Sequence, residues 1–169
     1  MATVTIFGSS QAKEGEPEYH RGVELGKRLA QAGYTICNGG YGGIMEATAR
    51  GAKETGGKTI GVTTEDFGGS VNRWIDEEIR IKKWSERLFK LVEVGNAYIV
   101  FDGGTGTLVE LFVVWEMSNK KFISKPLIVF GRALQDLVTK VRRFPQVMDY
   151  PNLYLESDID GVLKRLKRF

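Results

Sequence analysis

Three glycine-rich turns, each directly after a short apolar segment, constrain the fold of this chain more than any other feature. The turns are Gly8-Ser9-Ser10, Asn38-Gly39-Gly40-Tyr41-Gly42-Gly43 and Asp102-Gly103-Gly104-Thr105-Gly106-Thr107. Glycine lets the backbone approach an anion closely, and the N–H groups at the start of a following helix point at it. Each turn is therefore predicted to follow the carboxyl end of a strand and to be able to hold a phosphate.

The segments around these turns alternate between strand and helix patterns. Short apolar runs such as 3–7, 59–63 and 97–101 predict strands, and longer runs such as 19–32 and 108–117 predict helices. This alternation predicts an α/β fold, a three-layer Rossmann-like doubly wound parallel sheet. Ligands of such sheets bind beyond the carboxyl ends of the strands, so we expect the three turns to converge on one site.

The composition fits one globular domain over residues 1–169, with 42% hydrophobic and 27% charged residues. No apolar run approaches the roughly 20 residues that a membrane-spanning helix needs. The sequence opens on a strand pattern rather than a signal peptide, which predicts a cytoplasmic protein without a membrane partner. Cys37 and His20 are the single cysteine and histidine. An intrachain disulfide is therefore excluded, neither a metal site nor a Ser-His-Asp triad is expected, and Cys37 is interpreted as a packing residue.

The charge pattern does not favour nucleic acid as a partner. The net charge is only +3, and the basic residues collect in the segments 140–143 and 164–169. Cationic residues near the end of a helix are favoured by the helix dipole, so we interpret both segments as solvated helix surface.

Two common nucleotide-binding motifs fail on their context. The segment 52–59 approximates a Walker A loop, but here a helix precedes the glycines and a strand follows them, which is the reverse of what that motif needs. The dinucleotide fingerprint of the Rossmann fold would require a glycine where Val109 stands. Hydrolysis of nucleoside triphosphates and binding of NAD(P) are both disfavoured.

Glu110 is predicted to face the same site as the third turn, because it lies about one turn into the helix that the turn opens. A carboxylate is repelled by a neighbouring phosphate. Its presence there indicates chemistry beside a phosphorylated ligand.

Three large side chains at helical spacing, Trp84, Trp115 and Met117, are interpreted as core or subunit interface rather than as a shelf for a stacked base. The helix that carries Trp115 is apolar all round and needs cover on more than one side. Trp115 is thus a candidate subunit contact.

At this point the chain resembles the LOG (Lonely Guy) family of nucleoside 5′-monophosphate phosphoribohydrolases, formerly labelled lysine decarboxylase-like. The family signature Pro-Gly-Gly-x-Gly-Thr-x-x-Glu is matched by Gly103, Gly104, Gly106, Thr107 and Glu110. The first two turns and the run 56–62 are similar too, so the resemblance covers most of residues 3–130.

The chain also departs from the family pattern. Asp102 replaces the signature proline, and Val109 replaces the first of two glutamates. The family segment Met-His-x-Arg-Lys is here Trp84-Ser85-Glu86-Arg87-Leu88, which keeps only the arginine. Such changes recur in proteins similar to the molybdenum cofactor carriers, which share the fold and the turns, so an enzyme and a carrier both remain open.

The resemblance implies hydrolysis of the N-glycosidic bond of AMP or a modified adenosine 5′-monophosphate, with Arg87 and Glu110 as catalytic residues and no cofactor or metal. The alternative is a non-catalytic binding or carrier protein for a nucleotide or a molybdopterin-type cofactor. Either function implies a small nucleotide-like ligand, and the family implies a homodimer or a higher homo-oligomer. The residues expected to bind the nucleotide and its phosphate are Gly8, Ser9, Ser10, Gly39, Gly40, Gly42, Gly43, Met45, Gly103, Gly104, Thr105, Gly106 and Thr107.

Overall fold

A computed structural model describes residues 1–167; the last two residues of the basic segment 164–169 lie outside the described residues. Within residues 1–167 seven strands form one sheet in the order β4-β3-β2-β1-β5-β6-β7, and every neighbouring pair is parallel. The predicted doubly wound parallel sheet is confirmed. The strands are β1 (Thr3–Phe7), β2 (Thr35–Asn38), β3 (Thr59–Thr64), β4 (Glu77–Ile81), β5 (Ala97–Val100), β6 (Leu127–Val129) and β7 (Leu153–Leu155).

Helices cover both faces of the sheet. One face packs against α1 (Pro17–Gln31), α2 (Ile44–Glu54) and α6 (Ile159–Leu166), and the other against α3 (Trp84–Val94), α4 (Thr105–Asn119) and α5 (Arg132–Val141). Successive residues of a strand point to opposite faces, so β1 sends Val4 and Ile6 into one apolar layer and Phe7 into the other. In the described part of the chain, none of the helices is both long and apolar enough to cross a membrane.

The sheet changes its winding direction between β1 and β5. The chain builds outward from β1 through β2, β3 and β4, then returns to the other side of β1 with β5. Such a switch point leaves a crevice at the carboxyl ends of the two central strands. The first and third glycine turns follow these two strands, and the second follows β2 beside them.

Two glycines allow α1 and α2 to touch through their backbones. A Cβ atom on Gly26 of α1 would overlap the carbonyl oxygen of Thr48, and one on Gly51 of α2 would overlap the carbonyl oxygen of Val23. The two helices that follow β1 and β2 are therefore packed closer than side chains would permit.

The structure differs from the sequence-based expectation in three places. The polar segment 77–81 forms a complete edge strand, whereas the sequence predicted an extended piece only over 79–81. Helix α4 begins at Thr105, three residues before the predicted start. Trp115 is only 3% exposed and donates a hydrogen bond to the carbonyl oxygen of Met148 at 3.3 Å, so it packs within the chain rather than offering a subunit contact.

Candidate functional site

A cavity of about 530 Å³ lies at the switch point, beyond the carboxyl ends of the central strands. It brings together residues from all three glycine turns and the two predicted catalytic side chains. The predicted site residues that line it are Gly8, Ser9, Ser10, Gly39, Met45, Arg87, Gly104, Thr105, Gly106, Thr107 and Glu110.

Four predicted glycines, Gly40, Gly42, Gly43 and Gly103, are outside the lining of this cavity. Gly40 and Gly43 have positive φ angles of 77° and 69°, which L side chains rarely adopt. A Cβ on Gly43 would also overlap the Ser9 carbonyl oxygen, which accepts a hydrogen bond from the N–H of Ile44 at 2.9 Å. The structure thus gives Gly43 a role in joining the first turn to the second.

Arg87 reaches the cavity from the first turn of α3 with only 4% of its surface exposed. Its Nε donates to the carbonyl oxygen of Val62 at 2.6 Å, and its Nη2 donates to that of Gly39 at 3.3 Å. The guanidinium carbon is 5.6 Å from the ring centroids of both Tyr41 and Phe67. Burial lowers the pKa of Arg87 and Glu110 opposes that shift, but a guanidinium stays charged at neutral pH.

Glu110 enters the cavity from α4, on the other side of the switch point. Loss of solvent raises the pKa of its carboxyl group to about 7, and the charge of Arg87 acts in the opposite direction. No ion pair within 4.0 Å joins the described side chains of Arg87 and Glu110, although their charges interact. A carboxyl group that titrates near neutrality can serve as an acid or as a base at physiological pH.

The third glycine turn ends at the amino terminus of α4. Gly104 precedes the helix, and its carbonyl oxygen accepts the first helical hydrogen bond from the N–H of Leu108 at 3.1 Å. The N–H groups of Thr105, Gly106 and Thr107 therefore have no partner within the helix. These three residues line the cavity, so the start of this 15-residue helix is oriented to hold an anion.

Asp102, which replaces the family's proline, binds the backbone on both sides of the third turn. Its carboxylate accepts hydrogen bonds from the N–H groups of Ala133 and Leu134 at 3.1 and 2.9 Å, in the first turn of α5. Its carbonyl oxygen accepts a hydrogen bond from the N–H of Ser9 at 3.1 Å. The carboxylate, which a proline lacks, thus ties the glycine turn to α5, and the backbone carbonyl ties it to the turn after β1.

The cavity also contains residues that the sequence prediction did not assign to it. Tyr41, Phe67, Gly68 and Trp84 come from the connections around β2, β3 and α3. The other lining residues are Ile6, Phe7, Gln11 and Leu88. The sequence placed Trp84 in a core or an interface, but the structure leaves it 40% exposed at the cavity. No signal local to Trp84 in the sequence indicated that it lines the cavity.

Two further polar or titratable side chains, Cys37 and Asp76, have structural roles. Cys37 is fully buried in β2, and burial raises the pKa of its thiol to about 12, which confirms it as a packing residue. Asp76 accepts hydrogen bonds from Lys53 Nζ at 2.6 Å and from the N–H of Thr59 at 3.0 Å. Among residues 1–167 no three His, Cys, Asp or Glu side chains are grouped as metal ligands.

The fold and the cavity define a Rossmann-like α/β protein whose glycine turns meet at the switch point of the sheet. A model of the SLOG cluster4 family matches residues 1–150, and the chain belongs to this family.

Similar proteins agree with this assignment. An uncharacterized protein from Archaeoglobus fulgidus is 30% identical over 129 residues, covering 76% of this chain and 83% of that protein. A cytokinin riboside 5′-monophosphate phosphoribohydrolase from Rhodococcoides fascians is 26% identical over 133 residues, covering 76% and 67%. Among solved structures, the molybdenum cofactor binding protein from Rippkaea orientalis has a TM-score of 0.80 at 23% identity, covering 99% of this chain and 96% of that one. The resemblance to the LOG family is thereby confirmed, and the likeness to the molybdenum cofactor binding protein is one of fold.

Proposed function

We propose that the protein hydrolyses the N-glycosidic bond of AMP or a modified adenosine 5′-monophosphate and releases the free base and ribose 5-phosphate. The observation that carries this proposal is the placement of Arg87 and Glu110 in one cavity without a direct ion pair between them. A substrate can enter between a buried cation and a carboxyl group that titrates near neutrality. Relatives named as phosphoribohydrolases support this reaction class.

The 5′-phosphate is assigned to the amino terminus of α4. The free N–H groups of Thr105, Gly106 and Thr107 supply donors, and the helix dipole favours a negative charge there. Ser9 and Ser10 line the same cavity and are positioned for the phosphate or the ribose. The turn at Gly39–Gly43 has a supporting role, because the first N–H of α2 already donates to Ser9.

The transition state of this hydrolysis resembles an oxocarbenium ion, with positive charge on the ribose and negative charge developing on the leaving base. The ionised Glu110 stabilises that cation and orients the attacking water. Arg87, held by two carbonyl oxygens, stabilises the negative charge or fixes the nucleotide. As the water attacks C1′, Glu110 takes up one of its protons, the C1′–N bond breaks with its electron pair going to the base, and the base is protonated as it leaves.

The first test is incubation of the purified protein with AMP, followed by chromatography for adenine and ribose 5-phosphate. We expect release of adenine by the wild type and a rate lower by a factor of roughly 10²–10⁴ in Glu110→Ala. If neither protein releases adenine although AMP raises the melting temperature, the proposed hydrolysis is wrong. The carrier function then replaces it.

The carrier is the second candidate because specific positions depart from the enzyme pattern. Trp84 and Leu88 stand where the family has methionine and lysine, and Val109 precedes Glu110 in place of a glutamate. The ligand would then be a nucleotide or a molybdopterin-type cofactor, and Glu110 would bind rather than react. Retention of the intact ligand after prolonged incubation distinguishes this function from hydrolysis.

We also propose that the protein forms a homodimer through the exposed side of α4. Val109 and Phe112 on this helix are each 37% exposed, and apolar side chains exposed close together on one helix favour a protein contact. Light scattering during size-exclusion chromatography gives the mass directly. A wild-type monomer, or a Phe112→Lys variant that remains a dimer, contradicts this interface.

A further inference from the structure

The cavity has an aromatic side that the proposed catalytic residues do not explain. Its side chains are Tyr41, Phe67, Trp84 and Met45. Phe67 and Trp84 are the most exposed of these residues, with 56% and 40% of their surface exposed. Large exposed aromatic side chains at a concave site mark a binding surface rather than core. They belong to the β2, β3 and α3 side of the switch point, whereas the anion-binding end of α4 follows β5.

Hydrogen bonds hold the backbone around this aromatic side. The carboxylate of Asp66 accepts a hydrogen bond from the N–H of Trp84 at 2.7 Å, which fixes the start of α3 next to the turn that carries Phe67. The hydroxyl group of Tyr41 accepts from the N–H of Thr64 at 3.0 Å and donates to its carbonyl oxygen at 3.2 Å. The rings of Tyr41 and Phe67 are 6.0 Å apart and tilted by 52°. These contacts hold the backbone that carries Phe67 and Trp84 and fix the Tyr41 hydroxyl group.

We propose that Trp84 is the stacking residue for a planar nitrogen heterocycle whose phosphate lies at the amino terminus of α4, and that Phe67 forms the second wall of this site. The exposed indole ring can cover the face of a base, and such stacking tolerates different bases because every base has a π face. The guanidinium carbon of Arg87 is 5.6 Å from the Phe67 ring centroid, and Arg87 lines the same cavity as Glu110. A ligand bound in this way brings its glycosidic bond into the part of the cavity that holds Arg87 and Glu110.

The inference rests on the proposed function in taking a nucleoside monophosphate as the ligand, but it concerns the base and not the bond that breaks. Binding is therefore measured in the full chain carrying Glu110→Gln, which removes turnover. The probes are AMP, which has the base and the ribose phosphate, and ribose 5-phosphate, which lacks the base. Each probe is titrated calorimetrically into the Glu110→Gln protein and into the double variants that also carry Trp84→Ala or Trp84→Phe.

We expect Trp84→Ala to weaken AMP binding roughly five- to a hundredfold and to leave ribose 5-phosphate unchanged. Trp84→Phe keeps a ring and retains most of the AMP affinity. AMP also quenches tryptophan fluorescence, and this quenching is lost in Trp84→Phe although Trp74 and Trp115 remain. Phe144→Ala, which removes an aromatic side chain 60% exposed outside the cavity, is the matched control and changes neither affinity.

Three results overturn the stacking site: no binding of AMP at millimolar concentration, AMP affinity unaffected by Trp84→Ala, or equal weakening of both probes. Hydrolysis by the Glu110-containing wild type is measured separately. If the wild type releases no adenine but Trp84→Ala selectively weakens AMP, the stacking site stands and the hydrolysis fails. If adenine is released and Trp84→Ala has no selective effect, the reverse holds.

Discussion

Arg87 Nη2 donates a hydrogen bond to the carbonyl oxygen of Gly39 at 3.3 Å, and the space where Gly39 would carry a Cβ is filled by that guanidinium group and by Met45. The second glycine turn thus positions the buried cation of the cavity without necessarily touching a ligand. Gly39→Ala should displace Arg87 and reduce hydrolysis of AMP by roughly 100-fold, since small displacements of a catalytic group have large effects on rate.

Gly42→Ala is the control for this substitution, because it lies in the same turn and its Cβ would be 3.7 Å from the nearest oxygen, that of Ser10. Steady-state rates and circular dichroism of both variants separate loss of activity from loss of fold. Equal activity of Gly39→Ala and the wild type would show that the position of Arg87 is not critical.

The pH dependence of hydrolysis should follow the ionisation of Glu110. Its carboxyl group has a pKa of about 7 and must be ionised to stabilise a cationic ribose. We therefore expect kcat/KM for AMP to increase as the pH rises and to level off above about 7. A profile that is flat between pH 5 and 8 would remove Glu110 from this role, and Glu110→Gln should have no residual pH dependence from this group.

The same carboxyl group should make folding stability depend on pH. Its pKa in the folded chain lies above its ordinary value of 4.5, so the folded state retains a proton that the unfolded state has released. The contribution of this carboxyl group to the free energy of unfolding is fully present below pH 4.5 and is lost as the pH rises through about 7. Glu110→Gln lacks this loss and should gain stability relative to the wild type by up to about 3 kcal/mol, and by less if solvent reaches the carboxyl group.

Urea unfolding at pH 5 and pH 8 measures this difference directly. The stability of Glu110→Gln minus that of the wild type should be larger at pH 8. A difference that is equal at both pH values would mean that Glu110 titrates near its ordinary pKa in the folded protein.

Asp102 should contribute to stability through the first turn of α5. Asp102→Ala removes the acceptor for the N–H groups of Ala133 and Leu134, and loss of a helix cap typically costs about 1 kcal/mol. For a chain of this size the melting temperature should fall by about 2–4 °C. Asp102→Asn keeps one carbonyl oxygen as an acceptor, so its melting temperature should fall less. If Asp102→Ala melts at the same temperature as the wild type, the capping role is contradicted.

Much of the fold could be predicted from the sequence because its strands are apolar runs that end in glycine turns. The edge strand β4 was underestimated, since Glu77, Glu78 and Arg80 suit an edge that is largely exposed and give no apolar pattern. The early start of α4 was missed because threonine and glycine at its first positions are weak helix formers.

The candidate site was predictable where one short segment carries it and not where several segments meet. Glu110 follows from its spacing to the third turn, and Arg87 came from family resemblance alone. The burial of Arg87 depends on carbonyl groups 25 and 48 residues away in the chain. The backbone N–H of Trp84 is held by the carboxylate of Asp66, 18 residues upstream, and no local pattern distinguishes Trp84 from a core tryptophan.

The backbone contact between α1 and α2 determines which parts of the cavity can adapt. Gly26 and Gly51 leave no gap between these helices, and the hydrogen bond from the N–H of Ile44 to the carbonyl oxygen of Ser9 joins the first two glycine turns, so we expect this part of the cavity to adapt little. Ligands with bases of different size must then be accommodated by the loop after β3. This loop carries Phe67 and Gly68, which line the cavity, and Gly68 and the following Gly69 have φ angles of 64° and 78° that few other residues adopt without strain. We therefore expect a new ligand preference in this fold to evolve by amino-acid substitutions in the loop after β3, while α1, α2 and the contact between them stay unchanged.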